Sequence, residues 1–358
     1  MTASGDDQPT RKRWRLVPIP VLTGVVAVIG AVVLSGCRGP SAGQGPAASS
    51  RSAAPSTGPT YRVTATVPAG APVEVAVDPG THTVYVTNDS DSTVSVIDAS
   101  TRTVTATVPV GKGRRAYKGP GGLAVDPGTH TVYVADHDDA TVSVIDASTR
   151  TVTATVPVGN EPNGVAVDPG THTVYVANAK DNSVSVIDAS TRTVTATVPV
   201  GKDPQGVAVD PGTHTVYVAN TVDASVSVID ASTRTVTATV PVGDETTGMA
   251  VDPGTHTAYV TNSRDGTASV IDASTRTVIA TVHVGEKPWG VAVDPGTHTV
   301  YVANYEGGTV SVIDGSARTV TATVRVGKNP YGVAVDPGSH TVYVANSWDS
   351  TVSVIESR

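Results

Sequence analysis

Gly164 to Gly201 reads GVAVDPGTHTVYVANAKDNSVSVIDASTRTVTATVPVG, and the 358-residue chain is largely this unit written seven times. The DPG tripeptide starts at Asp78, Asp126, Asp168, Asp210, Asp252, Asp294 and Asp336, spaced 42 residues apart after a first step of 48. A fixed period of about 40 to 45 residues with four strand-like runs predicts a propeller blade. The runs GVAVD, HTVYVAN, SVSVID and TVTATV, labelled a to d here, are rich in Val, Ile, Thr and Tyr and punctuated by Pro, Gly, Asn, Asp and Ser. No window keeps a helical period. In Asp168-Pro169-Gly170-Thr171, proline presets φ and glycine tolerates positive φ, which predicts a type II turn between a and b. Asp188 to Arg192 is a short polar link whose Asp and Ser can bond nearby amides. Runs a and b lack strict polar alternation, the pattern of strands buried on both faces.

Counting runs gives the architecture. Runs a, b and c each occur seven times, but the last d is missing because the chain ends just after Thr351-Val352-Ser353-Val354-Ile355. A spare d run, Val63 to Val67, precedes the first a run. The expected fold is all-β: a seven-bladed propeller with four antiparallel strands per blade. Its ring is closed by the N-terminal strand completing the C-terminal blade, which removes exposed sheet edges.

These repeats resemble the YVTN-type β-propeller family. The tetrapeptide stands at Tyr85-Val86-Thr87-Asn88 and Tyr259-Val260-Thr261-Asn262; four other copies read YVAN and one reads YVAD, ending at Asp136. The resemblance covers residues 61–358 and implies the fold. For function it implies only a range, from surface-layer and periplasmic proteins to binding proteins.

Ahead of the repeats, Arg11, Lys12, Arg13 and Arg15 precede an apolar run from Leu16 to Leu34. A basic segment followed by an apolar one marks an export signal over residues 1–36. Leu34-Ser35-Gly36-Cys37 resembles a bacterial lipobox, which implies lipidation of Cys37, the chain's single cysteine. An uncleaved membrane anchor is the other reading, although Pro18 and Pro20 weaken a helix there. Both readings put the propeller outside the cytoplasm, at the outer face of the cell membrane or in the envelope. Residues 37–60, rich in Gly, Ser, Ala, Pro and Thr, read as a flexible tether reaching about 25 Å.

The net charge is −8 for the whole chain and −10 without residues 1–36. An acidic exported domain is poorly suited to nucleic acid, and the membrane is expected to be met through the lipid anchor alone.

The copies vary unevenly. The a–b and c–d turns hardly change, whereas the d–a and b–c loops differ in every copy. In an antiparallel meander those two variable sets emerge on one face, so a selective site belongs there. Val73, Gly121, Asn163, Gln205, Thr247, Trp289 and Tyr331 precede the a runs and are expected around the channel mouth. Seven of eleven tyrosines belong to the YV framework, yet Trp289, Tyr305, Tyr331 and Trp348 all fall in variable loops of the last two blades. The extra six residues between blades one and two make a basic flap containing Arg114, Arg115 and Tyr117. With His137 of blade two, these residues form a candidate site for a glycan or a protein partner. Aromatics stack on sugars or anchor contacts, and arginines pair with acids. The competing structural reading has Trp289 and Tyr331 plugging the channel and the flap as surface drift.

Some repeated groups look chemical. His82, His130, His172, His214, His256, His298 and His340 recur at one blade position. Neighbouring sheets pack about 10 Å apart, whereas zinc needs donors about 2 Å away, so turn polarity is the expected role. A pH-sensitive repeated face is the alternative. Glu74 stands where other blades have glycine. That placement resembles the metal-ligand position of metal-dependent propeller lactonases, which implies an alternative in which Glu74, Asn163 and Gln205 hold a divalent ion in a hydrolase or lyase. No catalytic residue set, P-loop, dinucleotide fingerprint or cysteine metal site is recognisable, so the leading expectation is a non-catalytic module without cofactor. A purely structural envelope protein is a further alternative.

Overall fold

The computed structural model describes residues 59–111 and 119–358. The export signal, Cys37, most of the tether, and Arg114, Arg115 and Tyr117 lie outside the described residues.

Seven four-stranded antiparallel sheets form, each in the order a-b-c-d. In the third blade the strands are Pro162–Asp168, Thr173–Asn178, Ser183–Asp188 and Thr193–Pro199. The seventh blade takes Pro330–Asp336, Thr341–Asn346 and Thr351–Ser357 from the C-terminus and Tyr61–Pro68 from the N-terminus. Val67 pairs with Val352 and Tyr61 with Ser357, so the ring is sealed as expected.

The core lies between sheets, one cluster per pair of neighbours. Tyr175 of blade three packs with Val207, Val216, Val218 and Ile229 of blade four. The cluster between blades seven and one joins Val67, Tyr343, Val352 and Val354 of blade seven to Val75, Val84, Val86 and Ile97 of blade one. Each fully buried Val or Ile contributes about 1.5–3 kcal/mol. Strands b and c are buried almost throughout, as in Thr173–Asn178. Strand a is not buried throughout as its composition predicted: Asn163, Gly164 and Val167 in blade three, and Gln205, Gly206 and Val209 in blade four, remain partly exposed.

The a–b turn also departs from expectation. The positive φ falls on His82, His172 and their counterparts, near +50°, and not on the DPG glycines. These are four-residue loops closed by a left-handed histidine, not type II turns. The glycine is needed for close approach: a Cβ on Gly254 would sit 2.8 Å from Cε1 of His298 in the next blade. That imidazole reaches across because its Nδ1–H donates to the buried carboxylate of the preceding blade's DPG aspartate. All seven such bonds form, at 2.6–2.7 Å, including His82 to Asp336 across the seam. The other oxygen of each aspartate caps its own turn, as Asp168 does for Gly170 N–H. The histidine ring is therefore an inter-blade belt, and the expected turn role is only half of its work. In the c–d turn, Asp188 accepts from Ser190 and Thr191 amides, as its sequence predicted.

Loop bonds identify the faces. Thr221 N–H donates to Asp203 O, tying a b–c loop to a d–a loop. Ala189 N–H donates to His172 O, tying c–d to a–b. The variable loops share one face and the repeated turns share the other.

Candidate functional site

Each inner strand begins with a bulge. Pairing slips between Pro162 and Val165 in blade three and between Pro72 and Val75 in blade one. Bulges re-aim side chains, and here they carry the residues that the sequence placed in loops around the mouth. The glycine after each of these residues admits the next blade: a Cβ on Gly290 would lie 2.4 Å from Tyr331 O. Glu74 occupies this position in blade one, next to Gly121, the one mouth position without a side chain. The threonine of YVTN holds two of these bulges. Thr87 Oγ1 accepts from Glu74 N–H at 3.0 Å and donates to Gly121 O at 3.0 Å. Thr261 Oγ1 accepts from Gly248 N–H at 2.9 Å and donates to Trp289 O at 2.6 Å.

A cavity of about 480 Å³ opens on the variable face. Its walls include Glu74 and Asp89 of blade one, His137 of blade two, Asn163 of blade three, and Tyr305, Tyr331 and Trp348 of blades six and seven. Five residues singled out as site or metal candidates on one face therefore meet Glu74 in one depression. Trp289 does not line it. Its ring lies 4.7 Å from Tyr331 and 6.0 Å from Tyr305, in contact with the two tyrosines that do line it. Tyr305 and Tyr331 stand 6.2 Å apart with planes at 83°, a corner of two aromatic walls. Trp348 is 74% exposed at the rim. Gln205 also stays outside, because its carbonyl oxygen accepts from Asn163 Nδ2 and its Nε2 donates to Asp203 at 2.7 Å. Of the three residues in the divalent-ion alternative, Glu74 and Asn163 therefore line the cavity, and Gln205 is joined to Asn163. Among the described residues no group of three or more His, Cys, Asp or Glu side chains is arranged to hold an ion.

The electrostatics are set by enclosure. Burial pushes the Glu74 carboxyl up to about 7, opposed by its bond from the Val75 amide. The residue lines the cavity and stays partly exposed there, so the carboxyl is half-buried rather than sealed from water. Burial also holds the Tyr331 hydroxyl well above the ordinary phenol range; Glu74 adds to this, the Trp289 indole opposes it, and Tyr305 and Asp89 add again. Asp136, which replaces the usual asparagine, is raised to about 6 by burial, against donation from Ser143 and Thr141 hydroxyls. Beside it, His137 Nδ1 sits 3.5 Å from the Asp138 carboxylate, too far for a hydrogen bond. Asp89 was visible in the sequence only as one of seven variable b–c pairs. Its own oxygen accepts from Gly119 N–H, which brings it to the cavity wall.

Comparison with known proteins adds a partial match. The family model for Lactonase, 7-bladed beta-propeller, matches residues 233–326. That span runs from the c–d turn of blade four to the end of blade six and excludes Glu74. No curated protein sequence matches significantly. Among solved structures, Kuenenia stuttgartiensis Hydrazine Synthase is similar with a TM-score of 0.71 at 21% identity, covering 80% of this chain and 95% of that one. Identity at that level shows the fold alone. The fold is a seven-bladed propeller.

Proposed function

We propose that this chain is an exported, lipid-anchored propeller of the YVTN-repeat type. Its binding site for a glycan or protein partner is the cavity on the variable face. The observation that carries the reading is an asymmetry. One face repeats seven times, while the other gathers unlike side chains from blades one, two, three, six and seven around one depression. Aromatic walls beside convergent polar groups, Glu74, Asp89, His137 and Asn163, suit recognition, and its volume lies in the range of small-ligand pockets. The Leu34-Ser35-Gly36-Cys37 sequence supports the anchor, and Cys37→Ser should abolish incorporation of labelled fatty acid.

The test of the site is an array of glycans and cell-wall fragments. Wild-type protein should be retained on a subset. The triple variant Tyr305→Ala, Tyr331→Ala, Trp348→Ala should lose at least about ten-fold in retention, since each aromatic anchor contributes on the order of 1 kcal/mol or more. Equal retention by a variant with native circular dichroism would reject the site.

A second reading is favoured by two observations, the lactonase match over residues 233–326 and a cavity carboxyl that titrates near neutrality. In it Glu74 works as a general base or acid on a cyclic ester. A lactone panel decides: turnover that disappears in Glu74→Gln supports hydrolysis, and no turnover by wild type removes this reading.

A further inference from the structure

We propose that the cavity recognises an organic cation, an alkylammonium group of the trimethylammonium type, seated between Glu74 and the Tyr305–Tyr331 corner. The proposal rests on the reading of this cavity as a ligand site and narrows the class of ligand.

Charge supplies the first argument. Two carboxylates, Glu74 and Asp89, line the cavity, and no lysine or arginine does so among the described residues. Glu74 forms no ion pair with any described side chain, although basic and acidic groups elsewhere on this face pair readily, as Lys287 does with Glu306 at 2.8 Å. An enclosed carboxylate without a counter-ion is costly, and a bound cation removes that cost. Shape supplies the second argument. Tyr305 and Tyr331, perpendicular at 83°, both line the cavity, and exposed Trp348 adds a third ring at the rim. Ring faces attract a desolvated cation, and quaternary ammonium is the case for which aromatic cages are suited. Trp289 packs at 4.7 Å against Tyr331 and its indole bonds the Tyr331 hydroxyl, which restrains that ring. Preorganisation of that kind lowers the entropic cost of binding. A neutral sugar would use the rings but leave Glu74 without a counter-ion among the described residues.

Isothermal titration of the full chain with choline tests this. The comparison ligand is the uncharged isostere in which a tert-butyl group replaces trimethylammonium. Choline should bind at one site and at least about ten-fold more tightly than the isostere, the ratio expected when a desolvated cation–π contact and a carboxylate act together. Glu74→Gln, which keeps the shape of the side chain, should bring the two ligands to within about two-fold of each other. Tyr305→Ala should weaken choline by a similar factor to Glu74→Gln, with its melting curve recorded alongside. Equal binding of choline and isostere by wild type, or an unchanged ratio in Glu74→Gln, overturns the cation while leaving a ligand site in place. Absence of choline binding beside retention on the glycan array does the same. Absence of both removes the site altogether.

Discussion

At the scale of single residues, the DPG glycine and the histidine of the next blade specify each other. Gly254 has an ordinary backbone conformation, so alanine there is not conformationally strained. Its cost comes from the imidazole of His298, 2.8 Å from the new methyl group. His298 in turn is tied to the buried Asp252 carboxylate. Gly254→Ala should destabilise by about 1–3 kcal/mol, as overpacking does. His298→Ala should also cost on the order of 1–3 kcal/mol by leaving Asp252 short of a donor. In the double variant the glycine effect should vanish, giving a coupling near the full cost of the first change. Additive effects in urea melts would instead point to backbone strain at the glycine and reject the packing account. Glu74 behaves differently because burial raises its pKa. The folded carboxyl titrates at about 7 and an unperturbed one at 4.5, so over that interval the folded state holds a proton that the unfolded chain has lost. Stability therefore falls as pH rises from about 4.5 to about 7 and levels off above. Glu74→Gln mimics the protonated form. It should raise the melting temperature by roughly 2–5 °C at about pH 8 and leave it unchanged near pH 4. The same gain at both pH values would mean that the carboxyl is not enclosed.

At the scale of strands and turns, most of the fold was legible because each blade carries its own signals. Val-Thr-Val runs between Asp, Gly and Asn clusters mark strands b, c and d to within a residue or two, as Thr173–Asn178 and Ser183–Asp188 show. Strand a was less legible. Its bulge places Asn163 inside Pro162–Asp168, where composition alone had put it in a loop. What escaped the sequence depends on the angle between blades, which no single repeat contains. His214 finds Asp168 46 residues away, and Asn163 finds Gln205 42 residues away. Variation among copies did indicate the face of the candidate site, because the d–a and b–c loops are bonded together there. It did not separate Tyr331, which lines the cavity, from Trp289, which braces it. The two rings are only 4.7 Å apart, and their separate placement depends on the packing of neighbouring blades.

At the scale of the molecule, everything depends on a ring whose last blade is made from both ends of the chain. Tyr61–Pro68 is the outer strand of blade seven, and Thr60 and Arg358 exchange backbone bonds of 3.0 and 2.9 Å at its end. Arg102 of blade one pairs with Glu356 at the same seam. The strand contributes Val67 to the cluster between blades seven and one, and the Tyr61 ring stands 6.1 Å from Tyr301 on the side of blade six. Its loss would uncover both clusters and leave Thr351–Ser357 as a free edge, open to pairing with another chain. Deletion of residues 61–68 should lower the melting temperature by more than about 10 °C, the order expected when several buried side chains and a full ladder are lost together. It should also produce oligomers on gel filtration. The missing strand need not come from the N-terminus to do its work. In the other blades the same edge is filled by a hairpin, as strand c of blade three, Ser183–Asp188, continues through a four-residue turn into Thr193–Pro199 with Asp188 opposite Thr193 and Ser183 opposite Pro199. Replacing residues 356–358 of the deletion variant by a copy of residues 188–199 offers strand c the same bonds through a local turn. Most of the lost stability should return, and the protein should be monomeric again. Failure of the graft to restore the melt, or a deletion that melts like the full chain, would show that inter-blade packing rather than strand closure holds the ring.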